Sequence, residues 1–320
     1  MELFRNIQVD WLARKWYFLG FSLIFSVAGL ISMFFWHGIP LGVDFRGGTL
    51  VYVKTDADPS VEHLRHAMDV SGLHGVTITR VSDALGRPAN EVIISLPENY
   101  AKGNALDAGR STIVEALQAN YHDSGFSVEK VEVVGPEVGT QLTHQAELAT
   151  LYSLAGMLIY LWFRFELIYG VAAVVAVFHD TLITLGAFSL TNQEMTLTVV
   201  AAILTLIGYS MNDTIVVFDR IRENLRTMRR ETLSEVVNRS INQTMSRTIL
   251  TSGLTFLTVL SLYLFGGEVL HGFSFALVVG ILIGTYSSIA VAAPMLVAYQ
   301  DWRASKGKRT ALPTGKRIRA

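Results

Sequence analysis

The chain has 320 residues, of which 51% are hydrophobic and only 17% charged, and its formal net charge is −1. Soluble domains carry about 25% charged residues, so this composition favours an integral membrane protein. The absence of cysteine excludes disulfides, thiolate metal sites and thiol catalysis. The sequence contains no Walker-type phosphate loop, dinucleotide fingerprint or HExxH motif. We therefore expect no enzymatic activity, no cofactor, no metal site and no nucleic-acid partner.

Six segments are long and apolar enough to cross a membrane, since about 20 apolar residues span ~30 Å of hydrocarbon. The predicted spans are 17–36, 145–163, 167–190, 196–219, 247–265 and 271–298. The first span lacks a small-residue cleavage pattern, which predicts a membrane anchor rather than a cleaved signal peptide.

Basic residues are concentrated on one side of these spans. Seven arginines lie in 220–247, whereas the connections 191–195 and 266–270 contain neither Lys nor Arg. Cytoplasmic loops carry the excess of Lys and Arg in membrane proteins. The N-terminal segment 1–16 and the basic tail 301–320 are therefore predicted to be cytoplasmic.

The long loop 37–142 is then predicted to be periplasmic. Its apolar residues alternate with period two in four stretches and follow helical spacing in two others. The predicted strands are 48–54, 75–82, 90–96 and 126–134, and the predicted helices are 59–70 and 104–119. The order βαββαβ is that of the ferredoxin-like, split βαβ arrangement. The predicted fold is an α-helical polytopic membrane protein of six transmembrane helices, with an α+β domain between helices 1 and 2.

Glycines join this domain to the membrane segments at both ends. Gly47 and Gly48 precede its first strand, and Gly135 and Gly139 follow its last strand. Glycine serves both as a hinge and as the residue that permits a tight turn, so both interpretations stay open.

The segment 220–246 is a further element on the predicted cytoplasmic side, within the region 143–300 that carries spans 2 to 6. Its apolar residues Leu233, Val236, Val237 and Ile241 recur at helical spacing. This pattern predicts an amphipathic helix along the cytoplasmic membrane face, with its arginines toward anionic lipid.

Asp213 is the principal candidate for a functional residue. It lies in the fourth span, seven residues before Arg220 and so roughly 10 Å inside that end at 1.5 Å per residue. A charged side chain in hydrocarbon costs about 2.5–3.5 kcal/mol, and such residues usually mark ion or proton pathways. The neighbouring Asn212 adds polarity to the same stretch. The alternative is a structural carboxylate with one packing partner.

Arg247 begins the fifth span at a depth comparable with that of Asp213. Threonines lie before and after it at alternating spacings of four and three residues, namely Thr244, Thr248, Thr251, Thr255 and Thr258. Such hydroxyls, with Thr251 nearest the arginine, could hold water for a proton path. Threonines in membrane helices also bond to their own backbone four residues earlier, and an interfacial arginine can simply snorkel, so both alternatives stay open.

His179 and Asp180 lie near the middle of the third span. A membrane histidine is more often a hydrogen-bonded helix contact than a relay, but the adjacent carboxyl makes a supporting role in proton movement plausible. We therefore expect these two residues to support Asp213.

Four motifs resemble those of the SecF branch of the SecD/SecF family, in the RND superfamily. They are GYSMNDTIVVFDRIREN at 208–224, RSINQT at 239–244, GTYSS at 284–288 and GVDFRGG at 42–48. The resemblance covers about residues 15–300 and implies half of an RND-type helix bundle. It also implies assembly with SecD, YajC and the SecYEG channel in the bacterial inner membrane.

In that family the proton motive force is thought to assist late steps of preprotein translocation. The resemblance implies that Asp213 and Arg247 conduct protons together with an acid from SecD. A desolvated Asp213 favours its neutral form, and an approaching Arg247 favours the charged form. Alternation between these states would rock the helices and move the outer domain through the glycine joints.

Three alternatives accompany this hypothesis. An exporter subunit for lipid or small solute, similar to other RND proteins, would require twelve spans or a larger outer domain with a substrate cleft. A purely structural subunit of the translocon would tolerate changes at Asp213. A membrane-bound enzyme would require a catalytic grouping. The coupling ion, proton or sodium, and the preprotein-binding surface stay open.

Overall fold

Six long apolar helices form the membrane domain in the computed structural model, which describes residues 8–82, 88–97, 105–165, 167–228 and 230–306. The membrane helices are α1 (Lys15–Ile31, continued by a π-helical turn over Ser32–Trp36), α5 (Pro136–Arg164), α6 (Leu167–Thr191), α7 (Leu197–Thr227), α8 (Leu233–Phe265) and α9 (Gly267–Ser287). A second π-helical turn, Ser288–Ala292, connects α9 to α10 (Ala293–Ser305). The π-turn precedes Pro294, which has no N–H to donate to the helix ladder.

The inserted α+β domain has the predicted strand and helix order. Its elements are α2 (Val43–Arg46), β1 (Gly48–Thr55), α3 (Val61–Val70), β2 (Thr77–Ser82), β3 (Pro88–Pro97), α4 (Ala105–Asn120) and β4 (Phe126–Val134). The sheet order is β2-β3-β1-β4, and every neighbouring pair is antiparallel. This arrangement places β3 between β1 and β2, as the split βαβ prediction requires.

The hydrophobic core of this domain lies between one face of the sheet and two helices. Val51 and Val53 of β1 point to the same face because strand residues alternate, and both are fully buried. Leu64 of α3 and Leu117 of α4 are buried against them. The period-two and helical patterns of the sequence therefore correspond to real buried faces.

The predicted amphipathic segment 220–246 is not a separate helix. Its first part extends α7 as far as Thr227, and its second part begins α8 at Leu233. Thr232 and Glu235 form a capping box that starts α8. The apolar residues of this segment pack into the bundle core instead of lying along the membrane, because α7 and α8 pair there. The prediction of an interfacial helix was wrong.

Helix α7 lies at the centre of the membrane domain and packs against α6, α8 and α9. Helix α1 packs against α6, where Gly29 and Gly186 approach so closely that a Cβ at Gly29 would lie 2.9 Å from the Cα of Gly186. The hydroxyls of Ser32 and Ser189 are 2.8 Å apart at the same contact. Most of α5 is exposed, which leaves an apolar surface for lipid or another chain.

Candidate functional site

Asp213 is buried at the contact between α7 and α8. The residue is only 3% exposed, and Ser252 Oγ–H donates to its Oδ2 at 2.6 Å. The structure gives Asp213 no other side-chain hydrogen bond among the described residues. A buried carboxyl usually has several donors, so this group is weakly solvated by the protein.

Asn224 forms further hydrogen bonds between α7 and α8, about three helical turns after Asp213. Its Nδ2–H groups donate to Ser240 Oγ and Gln243 Oε1, both at 2.8 Å. Asn224 is itself buried. These bonds and the one at Ser252 together set the register between the helix of Asp213 and the helix of Arg247.

Arg247 lies on the exposed side of α8, and its side chain makes no hydrogen bond or ion pair with any described residue. Arg247 interacts electrostatically with Asp213, but the two side chains form no hydrogen bond or ion pair. Arg247 and Asn212 line a polar cavity of about 770 Å³ between α5, α7 and α8. The cavity is bordered by five arginines and two carboxylates, namely Arg164, Arg220, Arg222, Arg226, Arg247, Asp219 and Glu223. The cavity lining therefore has an excess of positive charge.

The threonine stripe is mostly bonded to its own helix. Thr244, Thr251, Thr255 and Thr258 each donate to a carbonyl four residues earlier, at 2.9–3.0 Å. Thr251 is exposed, and its acceptor is the carbonyl of Arg247. These contacts match the backbone-bonding alternative. Thr248 differs, because its buried hydroxyl has no partner among the described residues.

Ser252 is the residue of α8 that sequence reasoning missed. It follows Thr244 and Thr248 at intervals of four residues, so all three lie on one helix face. All three are buried. The signal that could have found Ser252 is this four-residue spacing, whereas the alternating pattern led to Thr251.

Asp180 forms a second buried carboxylate site, between α6, α7 and α9. It is 1% exposed, and its Oδ2 accepts from Ser210 Oγ at 2.5 Å and from Ser287 Oγ at 2.8 Å. His179 Nδ1 lies 2.9 Å from the other oxygen, Oδ1. Three side chains therefore surround this carboxyl, and Ser210 lies one helical turn from Asp213 on α7.

His179 is largely buried and has one free ring nitrogen. Its side chain is 12% exposed, and Nε2 has no partner within the part of the chain that the structure describes. His179 and Asp180, which the sequence placed side by side, are in direct contact. The proton role that the sequence suggested for both residues stays a prediction.

Two of the four predicted hinge glycines lie in tight backbone contacts, and two have a positive φ. Gly47 and Gly48 have φ of 74° and 146°, and a Cβ at Gly48 would lie 2.5 Å from the carbonyl oxygen of Leu96. A Cβ at Gly139 would lie 2.9 Å from the carbonyl oxygen of Phe45. Gly135, by contrast, has nothing within 4 Å. These contacts favour the tight-turn alternative over free hinges.

The fold and these sites define a multi-pass membrane protein with two buried carboxylates in its bundle and an α+β domain between its first two membrane helices. No cluster of three or more metal-ligating side chains occurs among the described residues. Two family models match the sequence. The model for the protein export membrane protein SecD/SecF, C-terminal, matches residues 113–302, and that for the SecD/SecF GG motif matches residues 37–59.

The chain belongs to the SecD/SecF family of protein export membrane proteins, in its SecF branch. The protein translocase subunit SecF of Koribacter versatilis (strain Ellin345) is 54% identical, over 98% of this chain and 96% of the relative. That of Calditerrivibrio nitroreducens is 43% identical, over 95% and 98%. The crystal structure of SecDF, a translocon-associated membrane protein from Thermus thermophilus, matches with a TM-score of 0.79 and 35% identity. The match covers 92% of this chain and 39% of the SecDF chain.

Proposed function

We propose that this chain, paired with a SecD subunit, uses the proton motive force to assist late steps of preprotein translocation through the Sec channel. The partners in this proposal are SecD, YajC, the SecYEG channel, the translocating preprotein and membrane lipids. The location is the bacterial inner membrane, with both termini cytoplasmic and the α+β domain periplasmic. The basic residues that border the polar cavity support this orientation, because cytoplasmic ends carry the excess of arginine.

The observation that carries the proposal is the position of Asp213. It is a buried carboxyl with a single donor among the described residues, Ser252, and it follows Asn212, which lines a polar cavity together with Arg247. A proton that reaches Asp213 from the cavity would neutralise a poorly solvated charge, and its departure would restore attraction to Arg247. The two states would favour different distances between α7 and α8 or a partner helix. About 2.3 kcal/mol per 100 mV is available for each proton that crosses the membrane.

Arg247 supports a shared site. It faces the cavity and has no bonded partner among the described residues. A charged side chain at membrane depth is normally paired or solvated. We therefore propose that an acid of SecD approaches Arg247 and Asn212 across this exposed side of α7 and α8.

The test of the proposal is the Asp213→Asn variant in vesicles that contain the complex with SecD and the channel. We expect normal assembly, loss of proton-driven export and loss of proton flux, because the carboxamide cannot release a proton. Asp301→Asn, at an exposed residue near the end of α10, is the matched control and should export normally. The same assay with a sodium gradient identifies the coupling ion.

Normal export and flux in Asp213→Asn would contradict the proposal. A purely structural subunit is the second candidate, since Asp213 also joins two helices through Ser252. It predicts that an Asp213→Asn or Arg247→Met complex that assembles with SecD exports at the normal rate.

A further inference from the structure

The segment before α2 is bonded to the loop between α6 and α7. Gly42 N–H donates to the carbonyl of Met195 at 2.8 Å, and Met195 N–H donates to the carbonyl of Pro40 at 2.6 Å. Leu41 and Met195 thus form a parallel β-bridge. Two backbone bonds of this kind fix one chain segment against the other.

Asp44 adds a side-chain bond at the same place. Its Oδ2 accepts from the backbone N–H of Leu197, the first residue of α7, at 2.9 Å. Thr196 accepts from Val199 N–H in the same turn, at 3.4 Å. A carboxylate at a helix N-terminus satisfies a free N–H and complements the helix dipole. Asp44 is therefore a cap for α7, although it lies 153 positions earlier in the chain.

Close packing leaves this contact little freedom. A Cβ at Gly42 would lie 3.1 Å from the carbonyl oxygen of Met195, and one at Gly139 of α5 would lie 2.9 Å from that of Phe45. The turn α2 is thus enclosed between α5 and the start of α7. On its other side, Gly48 contacts Leu96 of β3. The base of the α+β domain is therefore packed against two membrane helices, α5 and α7.

Helix α7 connects this contact to Asp213. It is a single α-helix over Leu197–Thr227 without proline, and Asp213 lies 16 residues, or roughly 24 Å, from its first residue. The helix is continuous between these two residues, so we infer that a displacement at Asp213 reaches Leu197.

We propose that Asp44 is a positioning residue that, with the Leu41–Met195 bridge, couples α7 rigidly to the α+β domain. This inference rests on the proposed function: protonation at Asp213 moves α7, and α7 carries the base of the domain with it. The glycines at 47, 48 and 139 are then packing residues of a fixed joint.

The cysteine-free chain allows a reversible test of rigidity. The pair Leu41→Cys and Met195→Cys, on adjacent strands of the bridge, lies within the range for a disulfide. In the assembled complex we expect export after oxidation to equal export after reduction, because the joint does not open. Export that is lost on oxidation and restored by reduction would show that the joint must open, and this would overturn the proposal.

The variant Asp44→Ala tests the coupling itself. We expect proton-driven export to fall roughly fivefold, the factor that corresponds to the loss of one helix cap, while proton flux continues. Glu194→Ala is the matched control, since this carboxylate lies in the same loop and has no hydrogen bond to any described residue. Unchanged export in Asp44→Ala, or equal losses of export and flux, would overturn the proposal.

Failure of this inference is distinguishable from failure of the proposed function. Proton flux that does not depend on Asp213 contradicts the proposed function, whatever the joint does. Flux that depends on Asp213, together with a joint that must open, contradicts only the coupling. If Asp44→Ala does not assemble, the disulfide pair decides, because it keeps Asp44 unchanged.

Discussion

Asp180 and Asp213 are both buried carboxylates on neighbouring helices of one bundle, and they differ in how the protein solvates them. Asp180 is bonded by Ser210 and Ser287 and is adjacent to His179 Nδ1. Asp213 is bonded, within the described part of the chain, by Ser252 alone. A buried carboxyl with several donors recovers more of its lost solvation than one with a single donor. The difference teaches that burial alone does not make two membrane carboxyls equivalent.

The two sites also differ in their surroundings. Asp213 is adjacent in sequence to Asn212, which lines the polar cavity together with Arg247 of α8. Asp180 lies where α6, α7 and α9 meet, and it joins all three helices. We infer that Asp180 anchors the bundle and that Asp213 moves within it.

The largest effect on stability is expected at Asp180. Asp180→Ala removes the carboxyl that Ser210, Ser287 and His179 contact, which should lower the free energy of unfolding by about 2–4 kcal/mol. Asp180→Asn keeps one acceptor oxygen and should lie between this variant and the unchanged chain. Denaturant unfolding in detergent measures the series. Equal stability of all three proteins would contradict the inference that Asp180 anchors the bundle.

Asp213→Asn should change stability by less than about 1 kcal/mol, in either direction. The carboxamide still accepts from Ser252, and a neutral group is less costly to bury than a charged one. The same unfolding assay measures it beside Asp180→Asn. A larger loss at Asp213 than at Asp180 would reverse the comparison.

The serine partners give a matched pair. Ser210→Ala removes one of several contacts of Asp180, so a loss of about 0.6 kcal/mol in unfolding free energy and an unchanged pH profile of export are expected. Ser252→Ala removes the hydrogen bond of Asp213, so the pH profile should change. Export measured against pH for both variants tests this. A change in Ser210→Ala alone would contradict the assignment.

The smallest effect is expected at an exposed histidine–aspartate pair in the α+β domain. His63 Nδ1 lies 2.5 Å from Asp123 Oδ2, and this bond raises the pKa of His63 above its ordinary value of 6.5. The pair therefore stabilises the domain fully below pH 6.5, and the contribution is lost as pH rises through the raised pKa. Unfolding stability should fall slightly toward alkaline pH, and His63→Ala should remove that fall. His66→Ala, on the same helix, is the control and should keep it.

Much of the fold could be predicted from the sequence. The apolar runs predicted six spans, and the structure has six helices long and apolar enough to cross a membrane. Period-two alternation predicted the four strands, and their order is the expected one. The segment 220–246 was mispredicted, because amphipathicity is the same for a helix on a membrane surface and for one that packs in a bundle.

Less of the candidate site could be predicted. The sequence singled out Asp213 because a carboxylate in an apolar run is rare. It singled out Thr251 on α8, whereas the residue that bonds Asp213 is Ser252. Helical spacing alone does not say which face of α8 meets α7. Asp44 was part of a recognised motif, but its contact with Leu197 joins residues 153 positions apart.

The sequence by itself determined the class, the spans and the strand order, because these depend on patterns within 10 to 20 residues. Only the tertiary structure decided which hydroxyls surround each acid and which glycines lie in tight backbone contacts. The donors of Asp180 come from residues 30 and 107 positions away. Such pairings depend on how helices pack, and packing selects one among many arrangements that the same local patterns allow.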